Sequence, residues 1–303
     1  DTPFFMEVSS VASQFTLSTS ANASTTLESG LKGLFGLGGS VGMVERPTVT
    51  YSPLQGDQFI QRFLSPLPLK NITLLYHSGW SIERIFQLCF QRMNNLKNAP
   101  GASGPTPKKE PQFKKFLQTI KYLRELQSQD VLNLSYKNKN ESPQIILHIT
   151  NGGKNLEAAQ KFARILNVEP GREQYVISFS PKQNELGQIR VVTRSLLGVL
   201  FYLSQGVEAP EQDVKEGKVT RTLKKSGEVF DWKEVTGDLL RVRSKSNRPD
   251  NATLRVFYRG TWFFIQDSDL KSKSTFSLLS QIFSLQAGKI KDTTPLLTLP
   301  VGQ

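Results

Sequence analysis

Side chains that commonly carry out catalysis are scarce in this sequence. It contains one cysteine, Cys89, and two histidines, His77 and His148. Cys89 lies in the apolar stretch 85–90, whose helical pattern predicts a buried, unreactive thiol. His148 lies in an apolar run typical of a strand and is predicted to be a core residue, while His77 suits the helix end where it lies. We therefore expect that neither Cys89 nor His148 is needed for function.

A disulfide or a catalytic triad would need partners that the sequence does not place beside these residues. A single cysteine excludes an internal disulfide and a cysteine-based zinc cluster. The sequence has no Gly-x-Ser-x-Gly elbow, the turn that positions the serine of many hydrolases. The members of a Ser-His-Asp triad meet only in the folded chain. A hydrolase with a spatially assembled triad therefore stays open as an alternative.

Two short motifs invite a ligand-site interpretation. Asn151–Lys154 lies between a predicted strand and a predicted helix, where phosphate loops occur. A phosphate loop has Ser or Thr after its lysine, whereas Asn155 follows here, so we predict a plain turn. Asp267, Ser268 and Asp269 lack the further oxygen ligands of a calcium site but are good N-cap residues. We predict no cofactor and no metal.

The chain is strongly basic, with a net charge of +12. Lysines and arginines could bind nucleic acid, an anionic lipid surface or an acidic partner. They are spread along the chain, and the densest pairs, at 108–109, 114–115 and 224–225, flank loops or exposed helix faces. Base-stacking proteins interleave such charges with exposed aromatic residues. Here the aromatic residues lie at core-like periodic positions, which favours a solvated basic surface and makes nucleic acid an unlikely partner.

The clearest elements lie near the C-terminus. Arg255–Tyr258 and Thr261–Ile265 are predicted to form a hairpin that turns at Arg259 and Gly260. A helix is predicted over 270–285, where apolar residues recur at spacings of three and four. The inward stripe of this helix is predicted to comprise Phe276, Leu279, Ile282, Phe283 and Gln286. We expect a core formed by Trp262, Phe264, Phe276, Leu279 and Phe283.

The rest of the chain predicts an α+β protein with three segments: a β-hairpin at 1–54, a helical segment at 55–128 and a mixed α+β domain at 129–303. The helical segment covers Gly56–Asn98, with breaks at Pro66, Pro68 and Gly79, and a helix at Gln112–Gln127. Later strands are predicted at Val131–Tyr136, Gln144–Thr150, Gln174–Phe179, Gln188–Val192, Leu239–Arg243 and Pro295–Pro300. Later helices are predicted at Leu156–Leu166 and Arg194–Gln205, and 210–237 is predicted to be a surface excursion.

The N-terminal segment differs in composition from the rest. Residues 15–24 and 41–51 alternate between apolar and polar types, as strands do, around a glycine-rich tip. The tip carries Leu31, Leu34, Phe35 and Leu37, an apolar set that a lone soluble protein rarely displays. One interpretation is a long hairpin on a soluble sheet. The other is a hairpin that joins copies from other subunits in a membrane β-barrel. We predict that these four residues form an interaction site.

Several stretches of the chain resemble a family of uncharacterised Gram-negative bacterial envelope lipoproteins with no established activity. They are TPFFMEVSS at 2–10, ERPTVTYSPLQG at 45–56, HSGWSIER at 77–84, YLSQGV at 202–207, WFFI at 262–265 and KSTF at 273–276. The similarity runs through nearly the whole chain and carries over no catalytic residue. It implies a periplasmic location with an anchor in the outer membrane, through an N-terminal segment with a lipidated cysteine that precedes Asp1.

Together these patterns favour a non-enzymatic structural or scaffolding subunit of a cell-envelope assembly. Its expected partners are other envelope proteins or copies of itself, with contact to the outer membrane. A hydrolase with an assembled triad and a basic polyanion-binding protein are the alternatives.

Overall fold

A computed structural model of the chain describes residues 6–24, 36–53, 57–105, 107–139, 142–179, 187–287 and 297–300. The fold is α+β, as predicted. Contacts within the chain define two compact units, residues 1–59 with 289–303 and residues 60–288. The predicted segments 55–128 and 129–303 both fall mainly in the second unit.

The described strands and helices have the following bounds. The strands are β1 (Met6–Ser24), β2 (Gly36–Pro53), β3 (Phe90–Met93), β4 (Leu96–Lys97), β5 (Leu132–Lys139), β6 (Ser142–Ile149), β7 (Gln174–Ser178), β8 (Gln188–Thr193), β9 (Arg243–Lys245), β10 (Ala252–Tyr258), β11 (Thr261–Gln266) and β12 (Leu297–Pro300). The α-helices are α1 (Asp57–Leu64), α2 (Leu69–His77), α3 (Ile82–Cys89), α4 (Lys114–Ser128), α5 (Glu157–Leu166), α6 (Leu196–Ser204), α7 (Glu211–Lys215), α8 (Lys233–Thr236) and α9 (Leu270–Ala287). Two 3₁₀ helices cover Pro100–Ser103 and Gly153–Asn155.

Three sheets organise these strands. The first unit holds the antiparallel sheet β1-β2-β12. The second unit holds a six-stranded sheet in the order β4-β3-β8-β7-β6-β5 and a three-stranded sheet in the order β10-β11-β9. In the six-stranded sheet β7 and β8 are parallel and the other neighbours are antiparallel. None of the described helices is both long enough and apolar enough to cross a bilayer.

Alternation along β5 and β6 places the core on one face of the large sheet. Leu132 and Leu134 pair with Ile149 and Leu147, and all four are buried. Helix α2 lies against these strands, and the Tyr76 hydroxyl donates a 2.7 Å hydrogen bond to the Leu132 carbonyl. The predicted helix at 112–127 is confirmed as α4. Its buried positions include Phe116, Ile120, Leu123 and Leu126.

The predicted helical stretch Gly56–Asn98 is wrong at its C-terminal end, because Phe90–Met93 forms strand β3. Apolar residues at 86, 89, 90 and 93 suit a helix and a short buried strand equally well. Helix α3 stops at Cys89, where the carbonyls of Gln87 and Leu88 accept hydrogen bonds from the guanidinium of Arg194. These carbonyls are among the groups that a longer helix would have bonded internally.

Two further predictions in the basic second half need correction. The strand predicted at Leu239–Arg243 begins only at Arg243, and Leu239 and Leu240 are buried after α8. The excursion predicted over 210–237 contains α7 and α8 and buries Phe230 and Val235. This stretch is rich in charged residues. Its two buried apolar residues, Phe230 and Val235, are too few to give a helical or strand periodicity.

The inward stripe of α9 agrees with the predicted one at Ile282 and Gln286 and differs from it in the N-terminal half of the helix. Leu278 and Ile282 are buried, whereas Phe276 is 41% exposed. Leu279 and Phe283 are half-buried. Apolar residues occupy adjacent positions along this helix and therefore allow two neighbouring stripes. Polar contacts favour the observed one, because Arg84 donates to the Thr275 hydroxyl and Ser272 accepts from the Arg241 backbone.

We predict that Leu278→Ala lowers the free energy of unfolding by about 2–5 kcal/mol, because it opens a cavity at a fully buried site. Phe276→Ala, two residues away on the exposed side, should cost less than about 1 kcal/mol. Urea denaturation of the two variants measures both values. Equal losses would show that the inward stripe has been misplaced again.

Candidate functional site

The N-terminal ribbon of β1 and β2 carries the predicted interaction site. The two strands contain 19 and 18 residues, which corresponds to a length of about 60 Å. They pair in continuous antiparallel register from Ser10 opposite Thr50 to Ser24 opposite Gly36. Leu37 lies in β2 opposite Ala23, next to the last described pair of the ribbon. The other three predicted interaction residues, Leu31, Leu34 and Phe35, lie outside the described residues.

The register sorts the ribbon into two chemically different faces, since directly paired residues share a face. The residues of one face are Phe15, Leu17, Thr19, Ala21 and Ala23 on β1, with Glu45, Met43, Val41, Gly39 and Leu37 on β2. The residues of the other face are Thr16, Ser18, Ser20, Asn22 and Ser24 on β1, with Val44, Gly42, Ser40, Gly38 and Gly36 on β2. One face is therefore mainly apolar in composition, and the other consists mainly of hydroxyl, amide and glycine residues.

The ribbon also has open edges within the described part of the first unit. Strand β12 pairs with β2 from Tyr51 to Thr48 and leaves β2 without a second neighbour towards its tip. Strand β1 has β2 as its single described neighbour along its whole length. Each such edge presents backbone N–H and C=O groups that can pair with another strand.

In the second unit, the structure brings one serine and one histidine together. The Ser135 hydroxyl lies 2.9 Å from His148 Nε2, across the β5–β6 pair. Both residues are half-buried on the sheet face opposite the leucine core, so the prediction of a core histidine at 148 is wrong. Among the described residues, no carboxylate bonds the other ring nitrogen of His148. Within the described ranges, the pair therefore has no acidic residue to orient the histidine as in a catalytic triad.

The remaining chemically suggestive residues have structural partners. Gly153 allows close packing, because a Cβ there would lie 2.7 Å from Val131 Cβ. Lys154 forms a 3.0 Å ion pair with Glu173. Asp269 accepts a 3.0 Å hydrogen bond from the Ser272 N–H at the start of α9, which confirms its predicted capping role. Asp267 accepts from the Thr253 hydroxyl and pairs with Lys273.

Two residues with strongly shifted titration lie at the end of α3. Cys89 is fully buried, and burial raises the pKa of its thiol to about 12. Arg194 is also fully buried, and burial lowers the pKa of its guanidinium from 12.5 to about 10. A guanidinium with this pKa is still cationic at neutral pH, and the thiol beside it is protonated. Cys89 therefore has the environment of a structural residue and not of a nucleophile.

Backbone carbonyls, not a carboxylate, satisfy the Arg194 guanidinium. Its Nη1 donates to Gln87 O at 3.0 Å, Leu88 O at 3.0 Å and Phe90 O at 2.7 Å, and its Nη2 donates to Asn98 O at 2.5 Å. Its Nε donates to Ser103 Oγ at 3.1 Å. Several of these carbonyls belong to the C-terminal end of α3, where the helix dipole favours a cation.

A ring and an amide enclose the same guanidinium. The Tyr202 ring, from α6, lies with its centroid 3.9 Å from the guanidinium carbon. The Tyr202 hydroxyl donates to the Asn98 side-chain oxygen, and the Asn98 amide donates to the carbonyls of Gln87 and Phe90. This network, which we call the Arg194 cluster, comprises Arg194, Asn98, Tyr202, Gln87 and Ser103. Its hydrogen bonds connect α3, β3, the 3₁₀ helix at Pro100–Ser103 and α6.

The sequence patterns missed this cluster. The signal that could have revealed it is the charge of Arg194 close to the start of the apolar run 196–203. A charge at this position requires either burial with hydrogen-bond partners or exposure at the surface. The partners lie about a hundred residues earlier, at positions that periodicity does not connect with 194.

Searches of protein-family models, curated proteins and solved structures found no match to this chain.

We predict that Arg194→Met lowers the free energy of unfolding by about 3–5 kcal/mol, because it leaves several buried carbonyls without a donor. Arg190→Met, at an exposed position of the preceding strand β8, should change it by less than about 0.5 kcal/mol. Chemical denaturation compares the two variants. A loss below 1 kcal/mol for Arg194→Met would mean that water or neighbouring groups replace the guanidinium easily.

Proposed function

We propose that this protein is a non-enzymatic scaffolding subunit of a bacterial cell-envelope assembly and that its N-terminal ribbon joins copies of the chain. The observation that carries the proposal is the β1–β2 ribbon, which combines long paired strands, one face of mainly apolar composition and open edges.

A ribbon of this kind gains stability from contact with another surface. Isolated two-stranded hairpins are marginal in water, because they bury little apolar area for the backbone entropy they lose. An identical ribbon from a second copy can place its β2 edge on the β1 edge of the first. Repetition of this head-to-tail contact in a closed ring pairs the free edges of every copy and aligns the apolar faces on one side. Other envelope proteins with a free strand could occupy the same edge.

The envelope location rests on the resemblance of the sequence to bacterial envelope lipoproteins. The stretches 2–10 and 45–56, which belong to that resemblance, overlap the two strands of the ribbon. A scaffold in this location would use the ribbon for its assembly.

We predict that Leu17→Lys combined with Val41→Lys lowers the native mass of the protein towards that of the monomer. Both substitutions place a charge on the apolar face of the ribbon, where it would have to be desolvated in the assembly. The matched control, Ser18→Lys combined with Ser40→Lys, adds the same charge to the same strands on the polar face and should keep the wild-type mass. Sedimentation velocity measures the mass of each variant.

Deletion of 27–39 provides a second variant for the same measurement. The proposal expects a lower native mass and an unchanged unfolding transition of the second unit. A deleted form that keeps its native mass and its partition into membranes but loses thermal stability would show that the hairpin covers the protein's own surface. That outcome would overturn the assembly function.

A further inference from the structure

The three-stranded sheet β10-β11-β9 exposes an unusual amount of apolar surface. Strand β10 lies at the edge of this sheet. Near its turn, Val256 is 63% exposed, Phe257 56% and Tyr258 49%. The sequence patterns placed aromatic residues in the core, and for Phe257 and Tyr258 that expectation is wrong. We call residues 254–263 the β10–β11 tip.

The exposed residues of the tip lie on both faces of the sheet. Phe257 is directly paired with Trp262, and their ring centroids are 5.0 Å apart on one face. Val256 and Tyr258 alternate with Phe257 and therefore lie on the opposite face, where Val256 pairs with Phe263. An occupant that covers a single face would leave half of this apolar surface in water.

Four cations surround these rings. Lys245, Arg248, Arg255 and Arg259 are all exposed, and in the described part of the chain none has a carboxylate within 4.0 Å. The Arg259 guanidinium lies 5.5 Å from the Tyr258 ring, and that of Arg248 lies 6.0 Å from the Trp262 ring. Cations beside exposed aromatic rings, with no carboxylate partner among the described residues, favour an anionic occupant.

We propose that the β10–β11 tip docks onto the surface of an anionic phospholipid bilayer. A bilayer interface surrounds both faces of an inserted tip, whereas a nucleic acid stacked on Phe257 and Trp262 would leave Val256 and Tyr258 in water. Trp and Tyr prefer the level of the lipid headgroups. Arg and Lys side chains can keep their charges at the phosphates while their stems cover apolar surface.

This inference deepens the proposed function, because it gives the envelope scaffold a lipid contact that is independent of its N-terminal ribbon. The two parts can fail separately. Loss of assembly changes native mass, whereas loss of docking changes membrane binding.

Cosedimentation of the whole protein with phospholipid vesicles tests the proposal. We expect strong binding to vesicles that contain phosphatidylglycerol, weak binding to pure phosphatidylcholine vesicles, and a decline with added salt. Arg255→Glu combined with Arg259→Glu should weaken binding at least about tenfold, since each cation near an anionic surface contributes several-fold. Lys115→Glu combined with Lys121→Glu changes the net charge equally on exposed positions of α4 and should have a much smaller effect.

An apolar pair of variants separates insertion from charge attraction. Val256→Ser combined with Phe257→Ser should also weaken binding about tenfold, because it removes the most exposed apolar residues of the tip. Leu223→Ser combined with Val229→Ser, at exposed apolar positions elsewhere, should bind like the wild type. All four variants should keep the native mass of the wild type.

Two outcomes would overturn the proposal. Tip variants that bind vesicles like the wild type would show that another surface contacts lipid. Binding of a thymidine oligonucleotide that depends on Arg255, Arg259 and Phe257, without binding to vesicles, would assign the tip to single-stranded nucleic acid.

Discussion

The second unit depends on one buried cation that has carbonyls for partners. The guanidinium of Arg194 is fully buried and donates to the carbonyls that end α3. A buried charge of this kind costs much desolvation energy, which its hydrogen bonds and the Tyr202 ring offset. Its own backbone adds two contacts, because its N–H donates to Cys89 O at 2.7 Å and its carbonyl accepts from Leu67 N at 2.8 Å. These contacts hold the segment from Leu67 to β3 against the segment between β8 and α6.

The two units therefore gain their order in different ways. The second unit has an enclosed core, and the buried guanidinium within it finds its partners inside the same unit. The first unit has a long ribbon whose described strands form a sheet of three members, with edges left open. Its amphipathic composition and open edges are the basis of the proposal that it associates with other copies. The β10–β11 tip adds an exposed, basic and aromatic surface to a unit that is otherwise well packed.

The sequence predicted the elements well where one periodicity was unambiguous. Helix α4 and strands β5 and β6 follow directly from apolar spacing. The ribbon follows from strict alternation over residues 15–24 and 41–51. Predictions failed where a contact distant in sequence decided between two local solutions. Phe90 became a strand residue because Arg194 ends the helix before it, and Phe276 turned outward because Arg84 bonds Thr275. The sequence could not predict the Ser135–His148 pair or the exposure of the tip. The pair depends on strand register, and the exposure of the tip depends on whether another element packs against the sheet.

Hydrogen exchange as a function of protein concentration tests the central claim, that the ribbon is ordered by contact with other copies. Amides of β1 between residues 10 and 24 should gain protection in proportion to the oligomeric fraction measured by sedimentation, while amides of β5 and β6 stay equally protected at every concentration. Full protection of β1 in a sample that is entirely monomeric would contradict the account.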